Sequence, residues 1–207
     1  MKNATRVTVS TFGAIIGIAG LEHGVGEMLQ GNVAPRGIVI ESWPNLQAYE
    51  ILAGEPAMTI IPNLLLSGIL TVITSIIFMI WAVRHIENKN GGTVLILLSF
   101  ILLLVGGGFG PPLMGFLVGW AGTRIDSPSK WLSGRISFAR LWPILFVASI
   151  IGYFSLWPGL VILSQFFPTE LLPTAQLTLF SFSTLILAIL SGFAYDNANE
   201  NNTMVEN

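Results

Sequence analysis

Residues 94 to 121 read VLILLSFILLLVGGGFGPPLMGFLVGWA, and this stretch decides the fold class of the chain. It is almost wholly apolar and longer than the roughly 20 residues that a membrane-spanning helix needs, so it belongs in a bilayer. Glycines and prolines at its centre break a helix there, and they are Gly106, Gly107, Gly108, Gly110, Pro111 and Pro112. Broken backbone at membrane depth is tolerated only where protein buries it or where it lines a polar cavity.

The composition places the whole chain in the same class. Of its 207 residues, 53% are hydrophobic and only 10% are charged, whereas soluble domains carry roughly 25% charged residues. Nine basic and eleven acidic residues leave no general basic surface, so we expect no nucleic-acid partner. The absence of cysteine excludes disulfides and thiolate sites. With two histidines in the chain, the sequence predicts no metal site and no cofactor.

The apolar stretches predict an all-α, polytopic integral membrane helix bundle. We expect one transmembrane domain over residues 1–195 and a polar, disordered tail over 196–207. The bundle has about five hydrophobic segments, at residues 7–29, 58–83, 93–121, 141–165 and 174–195.

The path of the third segment governs the topology, and two arrangements are open. If all five segments cross, the basic residues divide between the two membrane faces, against the positive-inside tendency. If residues 93–121 enter, turn at the glycines and return, every basic residue except Arg36 lies on one face. That charge distribution favours a re-entrant segment with a cytoplasmic N-terminus in the plasma membrane. A kinked but complete span carries equal weight.

Two shorter stretches are predicted to lie at the membrane surface. Residues 46–53 have the length of a short interfacial helix that ends at Gly54. Residues 127–140 alternate apolar and basic side chains, which is typical of a helix on an anionic membrane surface.

The first segment carries a stripe of small residues on one helical face. Its members are Gly13, Gly17, Gly20 and Gly24. Such spacing lets a neighbouring helix approach the backbone closely, so we interpret the stripe as a packing surface rather than a ligand contact.

Ionisable residues follow on the same segment. His23 and Glu27 are four residues apart and so share a helical face on which they could bind a proton or cation. Glu22 points about 140° from Glu27, which excludes a shared-proton pair within this helix. Ionisable groups inside a membrane indicate function because their burial costs free energy. The alternative is that the segment ends near Leu21, leaving the group at the headgroups.

Two further polar residues lie at the start of the second segment. Glu55 precedes Pro56, and Asn63 follows Pro62. Glu55 is expected on the same membrane face as Glu27 and could share a polar pocket with it, or it could simply complement a helix N-terminus. His85 is predicted at the opposite membrane face from His23, which argues against a haem held by both.

The break at residues 106–112 has a functional interpretation as well. A half-helix that begins near Pro111 would aim its N-terminal dipole into the membrane interior, as broken helices of transporters do. A plain kink or a tight helix crossing explains the break equally well.

The leading functional hypothesis is a small transporter or channel-like protein linked to protons or cations. Glu22, His23, Glu27, Glu55 and Asn63 would form its polar site, and a homo-oligomer or a partner membrane subunit would complete the pathway. The alternative is a non-catalytic membrane subunit or assembly factor. A membrane enzyme acting on a lipid or quinone is the third choice, because no nucleophile or metal set accompanies the acid and imidazole groups.

Overall fold

The computed structural model describes residues 4–125 and 136–205, with side chains described as far as residue 199. The described chain is an all-α membrane bundle, as predicted, with four helical stretches long and apolar enough to cross a bilayer. These stretches are Ala4–Leu29, Leu64–Arg84, Trp142–Leu163 and Thr174–Asn199. The main helices are α1 (Ala4–Leu29), α2 (Leu64–Arg84), α3 (Gly91–Val105), α4 (Gly110–Gly122), α5 (Ile136–Ala139), α6 (Trp142–Phe154), α7 (Leu160–Leu163) and α8 (Thr174–Val205).

Helices α1 and α2 form the tightest pair in the bundle, and the glycine stripe of α1 lies between them. A Cβ on Gly17 would stand 2.7 Å from the Cβ of Met79, and one on Gly24 would stand 2.8 Å from the carbonyl oxygen of Gly68. Both separations are shorter than ordinary van der Waals contact. The backbones can therefore approach this closely only because α1 carries no side chains at these positions.

The third segment is a hairpin of two antiparallel helices, α3 and α4. A Cβ on Gly92, near the start of α3, would stand 2.5 Å from the carbonyl oxygen of Gly119, near the end of α4. Phe100 packs edge-on against Phe116 halfway along the pair, with ring centroids 5.9 Å apart. The antiparallel path brings both ends of the segment to the same end of the bundle, as the re-entrant arrangement predicts and a kinked complete span does not. With 15 residues, α3 rises only about 22 Å, less than the roughly 30 Å of a bilayer core.

One end of the bundle gathers both ends of the described chain, and we call it the basic end. There the Asp196 carboxylate accepts hydrogen bonds from the backbone N–H groups of Ala4 and Thr5 at 2.9 and 3.0 Å. Trp142, at the start of α6, donates to the Thr8 hydroxyl at 3.0 Å. Arg6 pairs with Glu87 in the α2–α3 turn at 3.2 Å. Of the basic residues that the structure describes, all except Arg36 lie at this end.

The opposite end, which we call the loop end, carries the long connection between α1 and α2. Strand β1 (Val39–Glu41) pairs antiparallel with β2 (Pro56–Met58). Between the strands, the predicted interfacial helix is present as a 3-10 helix at Gln47–Leu52. Ala53 ends it in the left-handed conformation, with φ at 53°. This connection folds back over the ends of the membrane helices.

The second half of the chain differs from the prediction at two places. A kink at Ser155–Gly159, where Trp157 has extended backbone with φ at −142° and ψ at 125°, separates α6 from α7. Helix α8 continues to Val205, where the sequence predicts a disordered tail after residue 195. Most of the predicted amphipathic stretch at 127–140 lies outside the described residues. Its last part forms α5, where Ala139 packs into the core.

Candidate functional site

The tip of the re-entrant hairpin is anchored to α2 by hydrogen bonds to the end of α3. The carbonyl oxygen of Val105 accepts from the hydroxyls of Ser67 and Thr71, both at 2.6 Å. The neighbouring Leu104 carbonyl accepts from the backbone N–H of Ile60 at 2.9 Å. Helix C-termini leave carbonyl groups without partners, and unsatisfied carbonyls inside a membrane are costly. These bonds satisfy two of them and fix the position of the tip.

Two glycines of the tip have left-handed backbone and touch ionisable side chains of α1. Gly106 has φ at +113° and Gly108 has φ at +76°. A Cβ on Gly106 would overlap the carboxyl group of Glu27, and one on Gly108 would overlap the imidazole Nε2 of His23. Glycine is required at both positions by the backbone conformation and by the close approach. The hairpin therefore presses bare backbone against the polar face of α1.

Beside the tip, Glu22, His23 and Glu55 form a compact cluster. One potential ligand atom from each residue lies within 4.8 Å of the other two. The His23 Nε2 atom is 3.3 Å from Glu55 Oε2, and Nδ1 of the same ring is 2.8 Å from the Ser42 hydroxyl. His23 and Glu55 are 5% and 8% exposed, so the pair is sheltered from water.

The loop-end connection carries Glu55 to this position. Glu55 itself has φ at 52°, a left-handed conformation that few side-chain-bearing residues adopt. Its carbonyl accepts a hydrogen bond from the backbone N–H of Ser42 at 3.1 Å, next to the β1–β2 pairing. Burial raises the pKa of the Glu55 carboxyl, and the neighbouring Glu22 carboxyl raises that pKa further. Both effects favour the neutral acid in the absence of a bound cation.

A cavity of about 290 Å³ opens beside the cluster and is bounded by it on one side. Phe109 and Pro111 of the hairpin form another part of its wall, and Tyr153, Trp157 and Phe182 contribute aromatic rings from α8 and from the α6–α7 stretch. Trp157 lies at the kink between α6 and α7. The cavity thus has a largely apolar lining, with ionisable groups concentrated where α1 meets the loop-end connection.

Comparisons with protein-family models, with curated proteins and with solved structures find no match for this chain. The geometry of the site is therefore the basis of the functional argument.

The structure separates the residues that the sequence grouped into one polar site. Glu55 faces Glu22 and His23 rather than Glu27, so the predicted Glu27–Glu55 pocket is not formed. Glu27 shares a face of α1 with His23, but its carboxyl is fully buried against Gly106. Within the described part of the chain, neither oxygen of that carboxyl has a hydrogen-bond partner.

Asn63 has a structural role outside the cluster. Its side chain accepts from the backbone N–H of Leu66 at 3.0 Å, which makes it the N-cap of α2. Its amide also donates to the Asn32 side chain. His85 is the C-cap residue of α2 at the basic end, far from His23, as the sequence indicates.

The N-terminus of α4 is a poor anion site. Helix α4 begins at Gly110, and Pro111 and Pro112 occupy its first turn, so two of the N–H groups that an anion would use are absent. The ionisable groups lining the adjoining cavity are Glu22, His23 and Glu55, which suit a cation. The structure therefore does not support the interpretation that the helix dipole at the break binds an anion, as it does in some transporters.

Ser42 and Tyr49 are site residues that the sequence analysis missed. Ser42 is fully buried and holds the imidazole of His23. Tyr49 interacts with the Glu22 carboxyl and stacks on Trp43, with ring centroids 5.2 Å apart. Ser42 follows β1 and Tyr49 lies in the 3-10 helix. No motif in the sequence connects either residue to α1, so only the fold brings them to the cluster.

Proposed function

We propose that this protein binds a small cation, a proton or a metal ion, within the membrane and moves it across. The observation that carries the proposal is the cluster of Glu22, His23 and Glu55 on the wall of a cavity inside a membrane helix bundle. Burial of carboxyl and imidazole groups costs free energy that hydrophobic packing does not require. A bound cation or proton neutralises the carboxyls and offsets this cost.

The re-entrant hairpin supplies the second element of a carrier. Its tip ends against the cluster, where Gly108 covers His23 and Phe109 lines the cavity. Irregular backbone at this depth lines a cavity, which is the setting in which such backbone occurs in membranes. Movement of the tip away from α1 would uncover the cluster.

The proposal includes an orientation and an assembly. Concentration of the described basic residues at one end supports a cytoplasmic position for that end by the positive-inside tendency, which would put the cavity and cluster near the outer face of the plasma membrane. Four spanning stretches enclose little volume, and a homo-oligomer or a partner membrane subunit would complete the pathway. The glycine stripe of α1 is already occupied by α2, so it is not the docking surface for that partner.

A second candidate function follows from the aromatic wall of the cavity. Tyr153, Trp157 and Phe182 would contact a flat apolar group, and the Glu55 and His23 pair would hydrogen-bond its polar end. This arrangement suits binding or turnover of a lipid or quinone. It predicts activity in detergent without any ion gradient, which a carrier does not show.

Flux through reconstituted protein tests the primary proposal. The full chain in sealed liposomes is given an inward gradient of protons or of Zn²⁺, and an entrapped indicator reports each ion. We expect flux above that of protein-free liposomes and its loss in Glu22→Gln. The matched control is Glu50→Gln, which alters an exposed acid of the same connection and should leave flux unchanged. Absence of flux for both ions would refute the proposal.

A further inference from the structure

We propose that Glu22, His23 and Glu55 form a binding site for one divalent first-row transition-metal ion, with the Ser42 hydroxyl orienting the imidazole. The inference deepens the proposed function, because it names the class of cation that the cluster takes. Binding of the ion can be measured in detergent, where no transport takes place.

The spacing of the ligand atoms fits such an ion. Nitrogen and oxygen ligands lie about 2.0 to 2.2 Å from a transition metal, so pairs of ligand atoms around it are roughly 3 to 4.3 Å apart. His23 Nε2 and Glu55 Oε2 are 3.3 Å apart, inside this range. All three ligand atoms lie within 4.8 Å of one another, so a small movement of the side chains would bring them around one ion. The geometry is nearly preformed.

Oxygen atoms without hydrogen-bond partners give an independent indication of a missing ligand. In the described residues, Glu22 Oε1 and Glu55 Oε2 are buried and accept no hydrogen bond, and the polar atom beside Glu55 Oε2 is Nε2 of His23 at 3.3 Å. Glu55 is 8% exposed, so bulk solvent contributes little to this oxygen. Buried polar atoms are nearly always satisfied in native proteins. A metal ion beside the cavity would satisfy both oxygens together.

Charge balance supports a divalent ion. Two carboxylates and a neutral imidazole carry a charge of minus two, which one divalent ion cancels. The assembled site would then be neutral within the apolar bundle, where net charge is costly. A monovalent ion would leave one negative charge there.

A hydrogen bond to the second ring nitrogen of His23 holds its imidazole in the way that is usual for metal-binding histidines. Such a histidine usually donates its second ring N–H to a neighbouring oxygen, and this bond fixes both the tautomer and the ring orientation. Ser42 Oγ lies 2.8 Å from Nδ1 of His23 and can accept that N–H. In this tautomer the lone pair of Nε2 is free to bind a metal on the side of Glu55.

The donor set selects the class of metal. Imidazole nitrogen suits zinc, iron and nickel, whereas magnesium and calcium prefer all-oxygen surroundings. Three protein ligands leave a position for water or for an exchanging ligand. The cavity of about 290 Å³ beside the cluster has room for several waters, each taking about 30 Å³ in the liquid. The ion would therefore remain exchangeable.

Zinc titration of the purified full chain tests the site. The protein is prepared in detergent without a polyhistidine tag, stripped of metal with a chelator and titrated with Zn²⁺ in a calorimeter. We expect one Zn²⁺ per chain, with no competition from millimolar Mg²⁺. Glu22→Gln and Glu55→Gln should each weaken binding at least about tenfold, and Ser42→Ala should weaken it by about tenfold, the usual effect of losing a bond to a ligating histidine.

Controls and an independent measurement keep the test decisive. His85→Gln and Glu50→Gln alter a second histidine and a nearby exposed acid, and they should bind Zn²⁺ as the unaltered protein does. Loss of binding in His85→Gln, with retention in Glu22→Gln and Glu55→Gln, would overturn the proposal. If the glutamate variants do not fold, the unaltered protein still must show a thermal midpoint that rises with Zn²⁺ and not with Mg²⁺. Absence of that rise would also overturn it.

The two proposals fail in different ways. Stoichiometric Zn²⁺ binding without flux of any ion would remove the proposed transport and leave the metal site. Proton flux in a protein that binds no Zn²⁺ would remove the metal site and leave the transport.

Discussion

The backbone of Gly106 lies directly against the carboxyl group of Glu27, at the residue where the re-entrant hairpin turns. This contact joins the two most unusual features of the chain, a broken segment and an acid that is fully buried in a membrane helix. Gly108 makes the corresponding contact with His23. The hairpin tip and the polar face of α1 are therefore one structural unit.

Substitution of Gly106 should destabilise this unit. Gly106→Ala places a Cβ on the Glu27 carboxyl and forces a residue with a side chain to adopt φ at +113°. Strained backbone of this kind costs about 1–3 kcal/mol, and the overlap adds to it. We expect a lower free energy of unfolding in detergent, measured by denaturant titration. Gly110→Ala is the control, because Gly110 has open space around it. Equal stability of the two variants would contradict the contact.

The α1–α2 interface should not tolerate a large side chain in place of a glycine of α1. Gly17→Leu would drive a side chain into Met79 and the Ser75 carbonyl, so we expect loss of the folded, monodisperse protein in size-exclusion chromatography. The neighbouring Ile18 is 51% exposed on the outer surface of α1, and Ile18→Leu should have little effect. A Gly17→Leu protein as stable as the unaltered chain would show that another face of α1 packs on α2.

The losses of unfolding free energy caused by removing the two hydroxyls that bind Val105 should be strongly coupled. Thr71→Val leaves Ser67 to satisfy the carbonyl, and Ser67→Ala leaves Thr71, so each single change should be mild. The double variant leaves that carbonyl without either donor at membrane depth, which costs about 1–3 kcal/mol. We expect the double variant to lose more unfolding free energy than the two single variants lose together. Strict additivity would show that the hydroxyls do not share one acceptor.

The topology can be mapped with single cysteines, since the chain contains none. Asn88→Cys and Thr123→Cys lie at the two ends of the hairpin, both exposed. With the basic end in the cytoplasm, a membrane-impermeant maleimide should label neither in intact cells and both in opened cells. Glu50→Cys, at the loop end, should be labelled in intact cells. Labelling of only one of the two hairpin positions would refute the re-entrant fold in the membrane.

Glu27→Gln separates charge from packing at the hairpin tip. The amide keeps the size of the carboxyl against Gly106, so the variant should fold, as judged by chromatography and circular dichroism. It cannot ionise, so we expect ion flux in liposomes to fall to that of empty vesicles if Glu27 carries charge during transport. Normal flux would restrict Glu27 to a structural role.

Much of the architecture could be predicted because it rests on local properties of the chain. Hydropathy over about 20 residues identifies the membrane helices, and the glycines and prolines at 106–112 interrupt the third segment whatever surrounds it. The charge distribution favours the re-entrant path but does not exclude a kinked span. The amino-acid sequence by itself therefore establishes an all-α membrane bundle, its interrupted segment and a polar cluster on α1.

Contacts between residues that are distant in the sequence could be identified only from the tertiary structure. Glu55 meets Glu22 and His23 because β1 pairs with β2 and the intervening 3-10 helix folds over the bundle. The short helix could be predicted, but neither the strand pairing nor the position of the connection on the bundle has a signal in the sequence. Ser42 reaches His23 for the same reason. Antiparallel packing of α3 on α4 matches the re-entrant path of the third segment, since direct contact of Gly92 with Gly119 does not occur along a single continuous helix.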